Sequence, residues 1–116
     1  MKVTWSPSGR VQLLASMAFI AKDDPAAAAR WVDSVGEAVA RLVDFPLAGR
    51  LVPEIANPDV REILVGDYRI VYEVGDVVEV AAVRHGSLPL ALADIRSARG
   101  SVQGIDTDVL RDDDPP

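Results

Sequence analysis

Two arginines in the 116-residue sequence, Arg69 and Arg84, have the type and placement that could do chemistry. Each guanidinium is a planar fork of donors that grips a phosphate or a carboxylate through two parallel hydrogen bonds. Aimed at a scissile phosphate, the pair would supply the cationic donors for metal-independent cleavage by a neighbouring hydroxyl. Such a site also needs one group to take the hydroxyl proton and another to protonate the leaving oxygen. Aimed at a partner, the same arginines would hold acidic side chains, and a plain salt bridge to Glu62 or Glu73 is a further use for them. His85 is the only histidine and so the first candidate for proton transfer near neutral pH. Without cysteine there is no disulfide and no thiolate metal site. Gly49-Arg50 and Gly66-Asp67 read as turns, because no glycine-rich strand-to-helix turn accompanies them. No cofactor is expected.

These side chains can meet only where the backbone brings them together. Val3 and Trp5 alternate with Lys2 and Thr4, which predicts a short strand, and Ser6-Pro7 then offers an N-cap and a proline suited to the first helical position. Leu13, Leu14, Met17, Ala18, Ile20 and Ala21 recur at helical spacing until Lys22-Asp23-Asp24-Pro25 breaks the pattern. The second helix runs from Pro25 to about Asp44, with Arg30, Asp33, Glu37 and Arg41 on one stripe and Trp31, Val35, Ala38, Val39 and Leu42 on the other. That apolar stripe could form a groove for a partner helix, but at this spacing it reads first as core. Residues 47–59 read as loop. From Val60 the period becomes strand-like: VREILV, YRIVYEV and VVEVAAVRH are separated by Gly66-Asp67 and Gly75-Asp76, each a two-residue hairpin signal. A short helix is expected over 88–98. The layout is α+β: an N-terminal strand, a helical hairpin, then a three-stranded antiparallel meander with the helices on one sheet face.

Two-residue turns would fix the register and therefore the faces. Val65 opposite Tyr68 and Val74 opposite Val77 place Ile63, Ile70, Tyr72, Ala81, Val83 and His85 toward the helices, which makes His85 a partly buried residue closing the last strand. Glu62, Leu64, Arg69, Val71, Glu73, Val78, Val80, Ala82 and Arg84 fall on the opposite face, with Arg84 diagonal to Arg69. Leu64, Val71, Val78 and Val80 flanked by the two arginines would make an apolar patch suited to a partner, unless the C-terminal segment covers it.

The formal net charge is −6, from 12 basic and 18 acidic residues, which runs against a nucleic-acid-binding chain and against sequence-specific DNA recognition. Five of those acids fall in residues 101–116, so the body is nearly neutral. The expectation is one domain over 1–100 followed by an acidic, disordered tail over 101–116. No apolar run is long enough for a membrane span and the first residues lack a signal-peptide layout, so a cytoplasmic protein with no membrane partner is expected.

The succession VTWSP, AKDDPAAA, FPLAGRLVPE, REILVGDYRIVYEV and VAAVRHG resembles the RelE/ParE superfamily of toxins from bacterial type II toxin-antitoxin systems, across nearly all of residues 1–90. The resemblance implies a helical hairpin on an antiparallel sheet. It also implies a protein that arrests growth when free and is neutralised by a cognate antitoxin. RelE-like members cut messenger RNA on the ribosome, whereas ParE-like members are described as inhibitors of DNA gyrase. In the nuclease branch Arg69 would be the phosphate-binding arginine, with Arg84 beside it, and Glu54 would match loosely the general base of one subgroup. Gly86 stands where RNA-cleaving relatives place an arginine or histidine, and no tyrosine follows Tyr72. The expectation is therefore a ParE-like toxin directed at gyrase. The alternatives are a ribosome-dependent endoribonuclease and an inactive toxin that only binds its antitoxin.

Overall fold

The computed structural model of the protein describes residues 1–95. The elements follow in the order β1 (Val3–Trp5), α1 (Pro7–Ala21), α2 (Pro25–Ala40), a single 3₁₀ turn at Arg41–Val43, β2 (Arg50–Leu51), β3 (Val60–Val65), β4 (Tyr68–Val74) and β5 (Val78–His85). Both helices begin as their sequences dictate. Ser6 Oγ accepts from the Gly9 N–H at 2.9 Å and Asp24 Oδ1 from the Ala27 N–H at 3.0 Å, with proline next in each case. Of the helix expected over 88–98, residues 92–95 are helical, 88–91 are not, and 96–98, like the tail 101–116, lie outside the described residues. Among the described residues no helix is long and apolar enough to cross a membrane.

The strands form one sheet in the order β1-β5-β4-β3-β2. β3, β4 and β5 are the expected antiparallel meander. β1 joins its far edge in parallel with β5, and β2, within what reads as loop in the sequence, adds a two-residue strand to the other edge. The β3–β4 turn has two residues and the one described positive φ, Gly66 at 59°, which glycine adopts without a Cβ penalty.

The second turn differs from the expectation. Val74 pairs with Val78, so the loop has three residues, and a bulge between Val71 and Tyr72 leaves Ala81 as an extra residue on β5. Each irregularity shifts the register by one. Between them the facing of β5 is reversed, and beyond the bulge it is restored. Val78 and Val80, expected on the open face as partner contacts, therefore point to the helices and are fully buried. Val71 keeps its predicted face but is also fully buried, beneath other parts of the chain.

Two clusters result, one on each side of the sheet. Trp31, Val35, Ala38, Val39 and Leu42 of the α2 stripe pack on Val65, Tyr68, Ile70, Tyr72, Val78, Val80 and Val83. On the other side Val71, Ala81 and Ala82 lie under Val52, Ile55, Leu90 and Ile95. The chain thus covers most of its own open face with the β2–β3 loop and the segment after β5. Of the predicted apolar patch only Leu64 is largely accessible, at 52%.

Glycine positions give opposite expectations. A Cβ at Gly49 would sit 2.6 Å from the Tyr72 hydroxyl, which accepts the Gly49 N–H, so Gly49→Ala should destabilise by about 1–3 kcal/mol. Gly36, exposed within α2, has nothing within 4 Å of such a Cβ, and Gly36→Ala should stabilise by about 0.5–1 kcal/mol in urea unfolding.

Candidate functional site

The strand pairing brings Arg69 and Arg84 directly opposite each other on the open face, rather than diagonal, because the longer turn and the bulge add two residues of offset. Their surroundings differ. Arg69 is buried with 6% of its side chain exposed, and its fork is filled by carboxylates. Nη1 and Nη2 donate to Glu54 Oε2 and Oε1 at 2.8 and 2.6 Å, and Nε donates to Glu62 Oε1 at 2.7 Å. Glu62, fully buried, passes its other oxygen to Arg50 Nε at 2.7 Å. The result is a four-residue ladder, Glu54–Arg69–Glu62–Arg50, of zero net charge.

Each rung has a local cause. Glu62 and Arg69 are open-face positions of neighbouring strands, one register step from directly opposite, where long side chains reach each other. Arg50 is the register partner of Glu62 across β2–β3. Glu54 hangs from the loop that Val52 and Ile55 pin into the second cluster, and its Oε2 also accepts the Leu90 N–H at 3.1 Å. Arg69 Nη1 in turn donates to the Leu88 carbonyl at 3.4 Å. The ladder therefore ties the segment after β5 to the sheet.

The electrostatics follow. The Arg69 hydrogen bonds hold the Glu54 carboxyl at about 2 against an ordinary 4.5, despite an opposing contribution from burial. The same bonds, with those to Glu62, push the Arg69 guanidinium upward. A general base works best when its pKa lies near the operating pH, and a carboxylate this acidic is a poor one. Glu54 is thus brought to Arg69, as nuclease chemistry would ask, but in a state that neutralises the arginine.

Arg84 is more loosely held. Its Nη1 lies 3.7 Å from Asp94 Oδ1, and its Nε is buried without a hydrogen-bond partner among the described residues. His85 lies on the helix-facing side, as expected, with its ring edge-on to Tyr68 at 5.3 Å and Nδ1 2.7 Å from Ser87 Oγ. Its hydrogen-bond partner is Ser87 rather than either arginine. Among the described residues no three His, Asp or Glu side chains gather as a metal ion would require. Above the ladder lies a cleft of about 430 Å³ whose walls include Arg50, Glu54, Leu64, Arg69 and His85. Sequence reasoning took Arg50 for part of a turn and gave it no place in the site. The signal available was the Arg–Leu pair before Val52, but two residues are too few for a strand period.

Removing one member of the ladder leaves a buried charge uncompensated, so Glu62→Ala should cost about 3–5 kcal/mol in urea unfolding. A carboxyl that ionises lower in the folded than in the unfolded chain stabilises the fold above the unfolded value and loses that contribution as pH falls through the folded one. Stability should therefore decline from about pH 4.5 toward pH 2, and Glu54→Gln should flatten that acid limb in thermal melts.

Comparison with known proteins identifies this architecture. The model of the family described as "ParE toxin of type II toxin-antitoxin system, parDE" matches residues 3–88. A protein of Sinorhizobium fredii (strain NBRC 101917 / NGR234), "Putative toxin Y4kP", is 36% identical over 86 residues, covering 72% of this chain and 86% of that protein. A solved chain described as "Chromosomal ParDE TA system from P. aeruginosa" superposes with a TM-score of 0.58 at 21% identity, covering 73% of this chain and 95% of its own, a likeness of fold. The chain belongs to the ParE toxin family of type II toxin-antitoxin systems.

Proposed function

We propose that the free chain arrests growth by binding a protein, DNA gyrase being the target that its family implies, and that a cognate antitoxin holds it off. The observation that carries this reading is the state of Arg69. Three of its donors are occupied by two carboxylates, two of them in a bidentate pair with Glu54. A phosphate entering there would have to displace a carboxylate that is itself ionised and hydrogen-bonded, and would meet the remaining negative charge of Glu62. Glu54 is too acidic to act as a base, and the ring of His85, which also lines the cleft, bonds Ser87 rather than Arg69, so no group suited to proton transfer near neutral pH is held against the arginine. Binding needs no such group. Leu64 is the exposed large apolar side chain on the wall of the cleft, which gives a protein target an apolar contact beside charged residues.

Induction of the chain alone in a bacterial host, with new RNA 5′ ends mapped within minutes, tests the reading. Growth arrest without new ends, together with loss of supercoiling by purified gyrase, is the expected outcome. Leu64→Asp should weaken that inhibition tenfold or more while leaving the melting temperature unchanged. New ends at fixed codon positions that vanish in Arg69→Ala would instead establish ribosome-dependent cleavage, and unimpaired growth with soluble protein would establish an inactive toxin.

A further inference from the structure

We infer that Arg50 is the residue through which the cleft recognises its protein target, and that it takes a carboxylate which the target presents beside an apolar side chain. This rests on the protein-binding reading above and adds the chemistry of the contact. Of the two arginines that line the cleft, Arg69 has its Nε and both terminal nitrogens occupied by Glu62 and Glu54. Arg50 differs. Its Nε donates to Glu62 Oε2 at 2.7 Å, while among the described residues neither terminal nitrogen has a hydrogen-bond partner, and 56% of the side chain is exposed. The guanidinium is anchored by one edge and open at the other. That open edge is the pair of parallel donors that matches a carboxylate or a phosphate.

The anchor matters as much as the opening. A surface arginine ordinarily loses its rotamer freedom at the moment it binds. Here Glu62, with no exposed surface, fixes one edge of the guanidinium as the chain folds, and the pairing of Arg50 with Glu62 across β2–β3 fixes the backbone beneath it. Leu64 follows Glu62 by two residues on β3 and so shares its face, which puts it diagonal to Arg50 at a separation of roughly 7–8 Å. Once covered by an apolar group of the target, it keeps water from the ion pair next to it.

The cleft also discriminates between the two anions. Glu54 and Asp67 line it together with Arg50 and Arg69, so its walls carry two charges of each sign, and the chain as a whole carries −6. A nucleic-acid strand brings a charge with every phosphate and is held by an extended positive track. One open fork in a neutral cleft offers no such track, whereas a single carboxylate needs only that fork. With little field at a distance, the contact acts after encounter, on the rate of dissociation rather than of association.

Surface plasmon resonance of the full chain on purified, DNA-free gyrase tests the inference, with a melting curve for each variant. Arg50→Gln and Arg50→Lys should each weaken binding about tenfold or more, mainly through faster dissociation. The lysine variant separates recognition from folding. Its single ammonium can replace the Nε contact to Glu62 but has no second edge for the target, so its melting temperature should stay close to that of the unaltered chain. Arg30→Gln, which removes an exposed charge on α2 away from the cleft, should bind as the unaltered chain does. Phenylglyoxal, which condenses with the terminal nitrogens of arginine, needs no substitution: Arg50 should react in the chain alone and be protected by gyrase, while Arg69 stays unreactive in both. Binding within threefold of normal in Arg50→Lys would overturn the inference, as would an Arg50 that remains reactive in the complex. So would protection of Arg50 by a single-stranded RNA or DNA oligonucleotide where gyrase gives none. An unaltered chain that does not bind gyrase would refute the underlying reading itself, whereas normal binding by both Arg50 variants would refute only the assignment of the contact.

Discussion

A carboxylate with no exposed surface, Glu62, lies between two arginines, and much of the open side of the sheet is organised around it. Taking such a charge out of water costs several kcal/mol unless partners of opposite sign hold it in good geometry. β4 supplies one partner, Arg69, and β2 the other, Arg50, so a strand too short to be stable by itself has a fixed place on the sheet edge. Arg69 then demands a second carboxylate, Glu54, and Glu54 takes hold of the Leu90 backbone. The result is a chain of obligations that runs from the middle of the sheet to the segment after β5. Strongly displaced ionisation at such residues has the look of a catalytic centre, yet structural ion-pair networks produce the same displacement. Here the saturation of every polar oxygen points to the structural use.

Most of the fold was legible in the sequence because its signals are local. Ser6-Pro7 and Asp24-Pro25 start helices through hydrogen bonds that span three residues, and the Trp31–Leu42 stripe needs only the helical period to be assigned to the core. The face of β5 was not legible in full. Gly75-Asp76 resembles a two-residue turn, and nothing in VVEVAAVRH marks Ala81 as the bulge, since small aliphatic residues fit either face. An error of one residue at the turn then reversed Val78 and Val80, and the bulge cancelled it before Arg84. The arginine pair survived the mistake while the apolar patch did not.

The candidate site was legible as a set of residues but not as a state. Arg69, Arg84 and Glu54 do converge on the open side, and sequence spacing correctly assigned both arginines to one face. Whether a guanidinium is free or filled depends on loop residues whose positions follow from tertiary packing. Val52 and Ile55 bring Glu54 in, and no period along the chain encodes that. The helices divide differently again. α2 pairs an apolar face with a charged one, as a finished surface does, while α1 is apolar on both, a pattern that hydropathy alone assigns to the interior.

The parallel pairing of β1 with β5 sets the order in which this molecule can come into being. Val3 lies opposite Val78, so the first strand made has no neighbour until the last described strand has left the ribosome. The meander and helical hairpin can assemble from nearby segments, but the sheet is closed only by a contact that spans most of the domain, and such long loops are slow to form. A nascent chain halted before β5 lacks Arg84 and the strand on which α1 packs. The protein is therefore completed late and all at once, and its surfaces become available to any partner together rather than in sequence.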